Sequence, residues 1–316
     1  MNQATYKENG PAKNAYGLVT AAYNEEAYIE KTIVAVVSQT VPPKKWIIVS
    51  DGSTDRTDDI VRRYAQQHDF IELHRITEDH PRNLTAQVNA INAGFARLQA
   101  SDFDFIGNLD ADITFEPSYF EQLLDRFLQN PNLGLAGGYI YEEEGGEFGN
   151  RRSNTISSVA HAVQLFRREC LEMLGGYRPF SWAGADWYAE VSLRMKGWYV
   201  QSFPDLHVFH HRPTGKGFGL LRYCYRGGVM DYYMGVHPLF EMFRLARRCR
   251  SKPYFLGALT RLVAFTGAYY KREQRQVPDQ FISYLRREEM ERLAGYFRWP
   301  SARTGDGRAE VQPGQR

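Results

Sequence analysis

Between residues 17 and 128 short apolar runs alternate with helix-forming segments, and this alternation constrains the fold more than any single motif does. Residues 17–22, 46–50, 71–75 and 103–109 read as strands. Residues 27–38, 54–67, 83–98 and 119–128 read as helices, the second capped by Thr54 or Asp55 and the fourth preceded by Pro117. Strands separated by helices of this length form βαβ units, which assemble into a mostly parallel sheet covered on both faces. Such sheets bind ligands beyond the carboxyl ends of their strands. Asn24 with Glu25, Asp51, and Asp110 with Asp112 each stand just past a strand, so three acidic or polar clusters are expected to converge on one edge.

Asp110-Ala111-Asp112 is the most telling of these clusters. Two carboxylates around one small residue suit a hard cation that carries phosphates, Mg2+ or Mn2+, because such ions want oxygen ligands and take only one or two from the protein. A solvated turn is the competing reading of the same residues.

Beyond residue 130 the pattern is less regular. Residues 137–150, rich in Gly and Glu, read as a mobile loop; 162–166 and 198–203 read as strands; 168–174 and 186–196 read as helices, the first ended by Gly175-Gly176. From Leu220 the chain turns to basic, aromatic helices. The expected organisation is a flexible N-terminus over 1–14, a catalytic α/β domain over 15–215, a helical basic and aromatic region over 216–299, and a disordered tail over 300–316.

Composition narrows the class. At 43% hydrophobic and 24% charged residues the chain has the make-up of an ordinary soluble globular protein. Cys170, Cys224 and Cys249 are odd in number and far apart, which argues against a disulfide framework or a zinc site and for a reducing compartment. Residues 1–14 lack the apolar core of a signal peptide. The longest apolar stretch, 254–270, is broken by Arg261 and falls short of the roughly 20 residues a spanning helix needs. The net charge of +2 conceals a balance of −8 over residues 1–200 and +9 over 201–300. The two halves therefore meet different partners, the basic one facing anionic headgroups, a lipid diphosphate or nucleic acid.

Thr20-Ala-Ala-Tyr-Asn-Glu-Glu26, Asp51-Gly-Ser-Thr-Asp55, Asn92-Ala-Gly94, Asn108-Leu-Asp-Ala-Asp112 and Gly175-Gly-Tyr177 followed by Asp186 stand in this order. The set resembles the family-2 inverting glycosyltransferases of the GT-A fold, a Rossmann-like mixed and mostly parallel sheet flanked by helices. The resemblance covers residues 16–212; softer similarity to bacterial polysaccharide-assembly members runs through 223–248 and 284–293. It implies that Thr20, Tyr23 and Glu25 or Glu26 lie along the nucleotide, that Asp51 meets the base, and that Asp110 meets ribose or metal-bound phosphate. It further implies Asp112 as metal ligand, His210 or His211 as a metal or diphosphate contact, and Asp186 as general base. Ala185, Ser192 and Gln87 depart from frequent family residues and leave the sugar open, and no Gln-x-x-Arg-Trp element of processive synthases follows Asp186.

These residue types also make chemical sense unaided. A departing nucleotide diphosphate builds negative charge that a divalent cation neutralises, and a hydroxyl nucleophile needs a carboxylate to take its proton. Each candidate has a structural alternative: an N-cap for Asp186, a polar surface for His210 and His211, a capped turn for Asp51-Gly-Ser-Thr-Asp55, and a solvated helix face for Arg222 and Arg226, which could otherwise grip a diphosphate. The expected partners are a nucleotide-diphosphate sugar, with UDP favoured, and a glycan or polyprenyl-diphosphate-linked acceptor; a homodimer is open and nucleic acid is not expected. Arg222, Arg226, Arg244, Arg247, Arg248, Arg250 and Lys252 interleave with Tyr223, Tyr225, Tyr232, Tyr233 and Phe243, which suggests a cytoplasmic protein attached to the anionic inner face of the cell membrane. The alternatives are a nucleotidyltransferase and a non-catalytic carbohydrate- or nucleic-acid-binding protein. The first would want a Gly-rich basic loop after the first strand; the second has no need of Asp110, Asp112 and Asp186 together.

Overall fold

The computed structural model describes residues 15–77, 84–98, 103–212, 219–250 and 253–297. The expected flexible N-terminus, the tail over 300–316, Lys252 and the boundary at 215/216 lie outside the described residues.

The first half of the sheet follows from apolar runs that must be buried on two faces. β1 (Tyr16–Ala22), β2 (Lys45–Asp51), β3 (Ile71–Ile76) and β4 (Phe105–Leu109) are all parallel, with Val19 opposite both Ile47 and Asn108, and Ile48 opposite Leu73. Neighbouring residues of one strand enter opposite cores: Ile47 joins one buried cluster, Trp46 and Ile48 the other. This is why β1, β2 and β4 read as hydrophobic runs, whereas the edge strand β3 buries only Ile71. α1 (Ile29–Val37), α2 (Thr57–Ala65) and α4 (Tyr119–Gln129) cover one face, and α3 (Leu84–Leu98) covers the other. Gly94 lets α3 lie on the sheet: a Cβ there would stand 2.4 Å from Val19 Cγ1.

The second half reverses direction. The full order is β3-β2-β1-β4-β8-β6-β9-β5, where β5 is Ile113–Phe115, β6 Leu133–Glu144, β8 Val163–Arg167 and β9 Tyr199–His210. β8 runs antiparallel to β4 and β6, β9 parallel to β6, and β5 antiparallel to β9, so Ile113 stands opposite His210. α5 (Arg168–Leu174) and α6 (Ala185–Met195) complete this half.

Residues 137–150 are a correction: they form no loop but the outer part of β6 and its hairpin partner β7 (Glu147–Asn150). Gly145 and Gly146, both at positive φ, make the two-residue turn. The hairpin's Glu-rich, exposed residues carry no apolar alternation to announce a strand. β9 outruns its expected end at Phe203 because exposed Asp205 and His207 alternate with buried Leu206 and Val208.

Four further helices follow: α7 (Leu220–Met234), α8 (Pro238–Arg248), α9 (Tyr254–Lys271) and α10 (Asp279–Phe297). Tyr232, Met234, Phe265 and Phe281 belong to the same buried cluster as Val49 and Val191, so the helical region shares a core with the sheet. Its basic residues divide. Arg244 and Arg261 turn inward onto the fully buried Asp231, at 2.7 Å from Arg244 Nη2 and 2.7 Å from Arg261 Nε, with buried Glu241 2.8 Å from Arg244. Buried charge is tolerated only when paired in this way. Arg244 is thus removed from the basic face expected of this region, as are Tyr232, whose hydroxyl donates to Glu273 O at 2.7 Å, and Tyr233, which stacks on Trp182. Arg222, Tyr223, Tyr225 and Arg250 remain exposed. Among the described residues no helix is long and apolar enough to cross a membrane.

Candidate active site

The loops after β1 and β2 interlock. Asn24 donates its backbone N–H to Ser53 Oγ at 3.2 Å and accepts from Thr54 N at 2.8 Å; Glu25 N donates to Thr57 Oγ1 at 2.8 Å, and Glu26 N to Asp55 Oδ2 at 3.0 Å. Asn24 takes a left-handed φ of 53° to do so, a conformation that asparagine tolerates. Asp55 also accepts from Thr57 N at 3.0 Å; the N-cap of α2 is Arg56, one residue past the expected Thr54 or Asp55. Most polar groups of these two motifs therefore hold the loops to each other. Tyr23 stays exposed beside them, and Asp51 closes β2 with its side chain buried. Thr20 faces inward: it is fully buried and its hydroxyl accepts the indole N–H of Trp46 at 3.0 Å, so it presents nothing to a ligand.

The turn after β4 is fixed from three sides. Thr32 Oγ1 of α1 lies 2.8 Å from Ala111 O and 2.9 Å from Ile113 O, Asp110 N donates to Ala162 O at 2.9 Å, and His211 N donates to Asp112 O at 3.0 Å. Asp112 is held almost completely buried, and Asp110 is half-buried. The β5–β9 pairing brings in His210, whose Nε2 lies 3.1 Å from Asp112 Oδ1. Asp110, Asp112 and His210 each offer a ligand atom, all within 4.8 Å of one another. Two carboxylates and an imidazole suit Mg2+ or Mn2+. Among the described residues His210 Nδ1 is buried without a hydrogen-bond partner, and Asp112 Oδ2 makes no aligned hydrogen bond, its contact being the ion pair with Arg212 at 2.8 Å.

His211 points elsewhere. It lies just past the end of β9, and its ring meets Thr114 Oγ1 at 3.0 Å and Glu143 at 3.4 Å, outside the Asp110–Asp112–His210 group. Of the two histidines it is His210 that joins the cluster. Arg212, one residue on, returns to the site: its Nη2 is 2.6 Å from Glu25 Oε1 and 2.8 Å from Asp112 Oδ2. Nothing in the sequence pattern marked Arg212, since its partners lie on loops far away in the chain.

His161 is a second residue the motifs did not reveal. Its Nδ1 stands 3.6 Å from Asp110 Oδ1, just ahead of β8. Burial works to keep the His161 ring neutral, but Asp110 beside it and Asp186 beyond outweigh burial and raise its pKa. Conversely, burial would raise the Asp110 carboxyl, yet His161, His210 and Arg212 together hold it below the usual carboxylate range. Burial also opposes charge on His210, and Asp112 and Asp110 override it and raise that pKa. Glu25 is pushed up by burial, with Arg212 opposing.

Asp186 enters from α6. It is the second residue of the helix, whose N-cap is Gly184, so it does not serve as the N-cap itself. Ala183 and Gly184 both have positive φ, 83° and 96°. Such a conformation costs a non-glycine residue about 1–2 kcal/mol, and this strained turn leads into Asp186, which is close enough to His161 to act on its charge. Met230 and Met234 of α7 pack against Gly184 from behind, where a Cβ would meet Met234 Cε at 2.7 Å. Arg226 lies on α7 one turn before Met230, half-buried. Asn92 and Tyr177 explain two more motifs: the Asn92 amide accepts from Tyr177 N at 2.9 Å and donates to Tyr177 O at 2.7 Å, while the Tyr177 hydroxyl meets Asn108 and Gln164.

Comparison with known proteins gives the family and the fold. A family model for glycosyl transferase family 2 matches residues 18–187. The chain is 25% identical over 272 residues to a probable glycosyltransferase, YdaM, of Bacillus subtilis, covering 78% of this chain and 62% of YdaM. It is 30% identical over 122 residues to the poly-beta-1,6-N-acetyl-D-glucosamine synthase of Staphylococcus epidermidis, covering 37% of this chain and 26% of the synthase. The chain thus spans under two thirds of either relative. Among solved structures, the mannosyltransferase PcManGT of Pyrobaculum calidifontis, in complex with GDP-Man and Mn2+, aligns over 89% of this chain and 81% of its own with a TM-score of 0.50 at 19% identity. S. aureus TarS in complex with UDP-GlcNAc aligns over 86% and 79% with a TM-score of 0.50 at 12% identity.

Proposed function

The chain belongs to glycosyl transferase family 2 and has the GT-A fold, and from that premise we propose that it moves one sugar from a nucleotide-diphosphate sugar to a hydroxyl of a glycan or polyprenyl-diphosphate-linked acceptor, inverting the anomeric centre. The observation that carries the reading is the convergence of Asp110, Asp112 and His210 within 4.8 Å at the carboxyl edge of the sheet, with Asp186 near enough to act on the same His161 as Asp110.

Asp112, Asp110 and His210 would hold Mg2+ or Mn2+, which when bound neutralises the charge that grows on the departing diphosphate. Tyr23 and Asp51 line the nucleotide end and Glu25 the diphosphate end; UDP is the favoured donor nucleotide. Asp186 accepts the proton of the acceptor hydroxyl as that oxygen attacks the anomeric carbon. The bond from that carbon to the diphosphate oxygen breaks on the opposite face, and Asp186 then returns the proton to solvent. One displacement needs one base and inverts configuration. A nucleotidyltransferase would want a basic, Gly-rich loop after β1, where Asn24-Glu25-Glu26 stands.

The acceptor side rests on the helical region. Leu220, Leu221, Tyr254, Phe255 and Leu256 are exposed at the N-terminal ends of α7 and α9. The contacts Cys224–Gly257 and Gly228–Ala264 run in the same sense along both helices, so those ends are neighbours. Residues 219–230 and 253–272 contain no acid. An apolar, acid-free end with Arg222 and Arg250 exposed nearby suits the anionic inner face of a bacterial membrane, where a polyprenyl-linked acceptor resides.

Transfer from a panel of nucleotide sugars in the presence of Mn2+ tests the reading. Asp186→Asn should lose about 10²–10⁴-fold in rate, the usual worth of a positioned base, while still binding donor. Asp112→Asn should lose metal-dependent donor binding. Wild-type rates from both variants would show that the assigned chemistry is wrong.

A further inference from the structure

We propose that Arg212 is an internal stand-in for the divalent cation: it closes on Asp112 and Glu25 while the metal is absent, and moves onto the donor's diphosphate when a metal takes Asp112. The inference rests on the nucleotide-sugar reading above and adds a switch to it.

Both oxygens of Asp112 already face basic side chains. Oδ1 is 3.1 Å from His210 Nε2, and Oδ2 is 2.8 Å from Arg212 Nη2. The same Arg212 nitrogen is 2.6 Å from Glu25 Oε1, so one guanidinium corner balances two buried carboxylates. Without it, Asp112 and Glu25 would stand in the protein as like charges with little solvent to screen them.

The balance is incomplete in a telling way. Asp112 Oδ2 has a positive charge at contact distance but no aligned hydrogen bond, and Glu25 Oε2 has none either. Arg212 therefore compensates charge without saturating the acceptors, which a metal ion of higher charge density would do. Exposure separates the partners too: the side chain of Arg212 is 50% exposed, against 3% for Asp112 and 11% for Glu25. The carboxylates are fixed and the guanidinium sits at the rim, where its other described neighbour is the Tyr28 ring at 5.8 Å. Its departure breaks no core packing. β9 ends at His210 and the chain then bends, so that Arg212 turns back to Asp112 while His211 turns to Glu143.

A divalent cation on Asp112 repels the neighbouring guanidinium. The donor brings a diphosphate to that same spot, and a planar guanidinium matches phosphate oxygens in bidentate fashion. The positive charge that blocked the site becomes a grip on the leaving group.

Titration with Mn2+ followed by electron paramagnetic resonance, first without and then with UDP or GDP, tests the switch in the full chain. Arg212→Ala should bind Mn2+ alone about tenfold more tightly than wild type, and in Mn2+ should bind the nucleotide about tenfold more weakly, each the worth of one charge-assisted contact. Arg212→Lys, which keeps the charge and loses the fork, should fall between the two in both measurements. Thermal unfolding checks that each variant is folded. Equal Mn2+ affinity in wild type and Arg212→Ala overturns the stand-in role even if nucleotide binding weakens. If neither protein binds Mn2+, the cation site and the switch fail together; if Mn2+ binding shifts as expected but no nucleotide binds, the stand-in role holds while the move onto a diphosphate and the donor reading both fail.

Discussion

Replacing Asn92 by alanine should destabilise the protein through a turn that is distant in sequence from the substitution. Both polar atoms of the Asn92 amide are used, one accepting from Tyr177 N at 2.9 Å and one donating to Tyr177 O at 2.7 Å. Stripping a buried backbone group of its partner costs about 1–3 kcal/mol, so two groups set an upper limit of about 6 kcal/mol. The limit is not reached, because Asn92 is half-buried and borders a cavity of about 150 Å3 lined by Phe95, Ala96, Leu171 and Gly176, among others. A water needs only about 10–15 Å3 of such space, so it can reach the stripped groups. A loss of about 2 kcal/mol remains, near the net worth of two ordinary hydrogen bonds. In a domain of this size each kcal/mol moves Tm by roughly 2–4 °C, giving a fall of about 4–8 °C. Differential scanning calorimetry on wild type, Asn92→Ala and Asn92→Asp decides the point. The aspartate keeps the acceptor but sets a carboxylate oxygen against the Tyr177 carbonyl, so it should be no more stable than the alanine variant. A change within 1 °C for Asn92→Ala would refute the clamp.

Two other outcomes are expected. Burial pushes Glu190 up to about 8, with Arg194 opposing, while Val159 N donates to it at 2.7 Å. Its folded pKa lies above the unfolded value of about 4.3, so the stability it contributes declines as pH rises from about 4.3 to about 8; Glu190→Gln, which stays neutral, should gain Tm relative to wild type as pH is raised from 6 to 8.5, and an unchanged difference across that range would contradict the linkage. At low salt the full chain should sediment with phosphatidylglycerol-containing vesicles and not with phosphatidylcholine alone, and Phe255→Glu should weaken that binding about tenfold or more, since a buried Phe is worth about 1.5–3 kcal/mol; equal sedimentation with both lipids, or none with either, would remove the membrane face.

The α/β alternation of residues 16–109 was legible in the sequence because β1, β2 and β4 are buried on both faces and so had to be apolar runs, while the edge strand β3, with only Ile71 buried, was marked by its place between two helices. Asp51, Asp110 and Asp112 could be picked out for the same reason: they interrupt those runs where the chain leaves the core. Hydrophobic patterning was silent about the β6–β7 hairpin, whose exposed Glu residues imitate a loop, and it misread Arg244 as outward-facing when its partners, Asp231 and Glu241, are buried. Turning Thr20 inward onto Trp46, choosing between His210 and His211, and adding His161 and Arg212 to the carboxylates required the tertiary structure, the last two through pairings such as Ile113 with His210 and Asn108 with Gln164 that join residues more than fifty positions apart. Local burial is written along the chain and can be read from it, whereas which side chain meets a given carboxylate is set by the register of distant strands, where a shift of one residue would turn His210 away and bring His211 to Asp112.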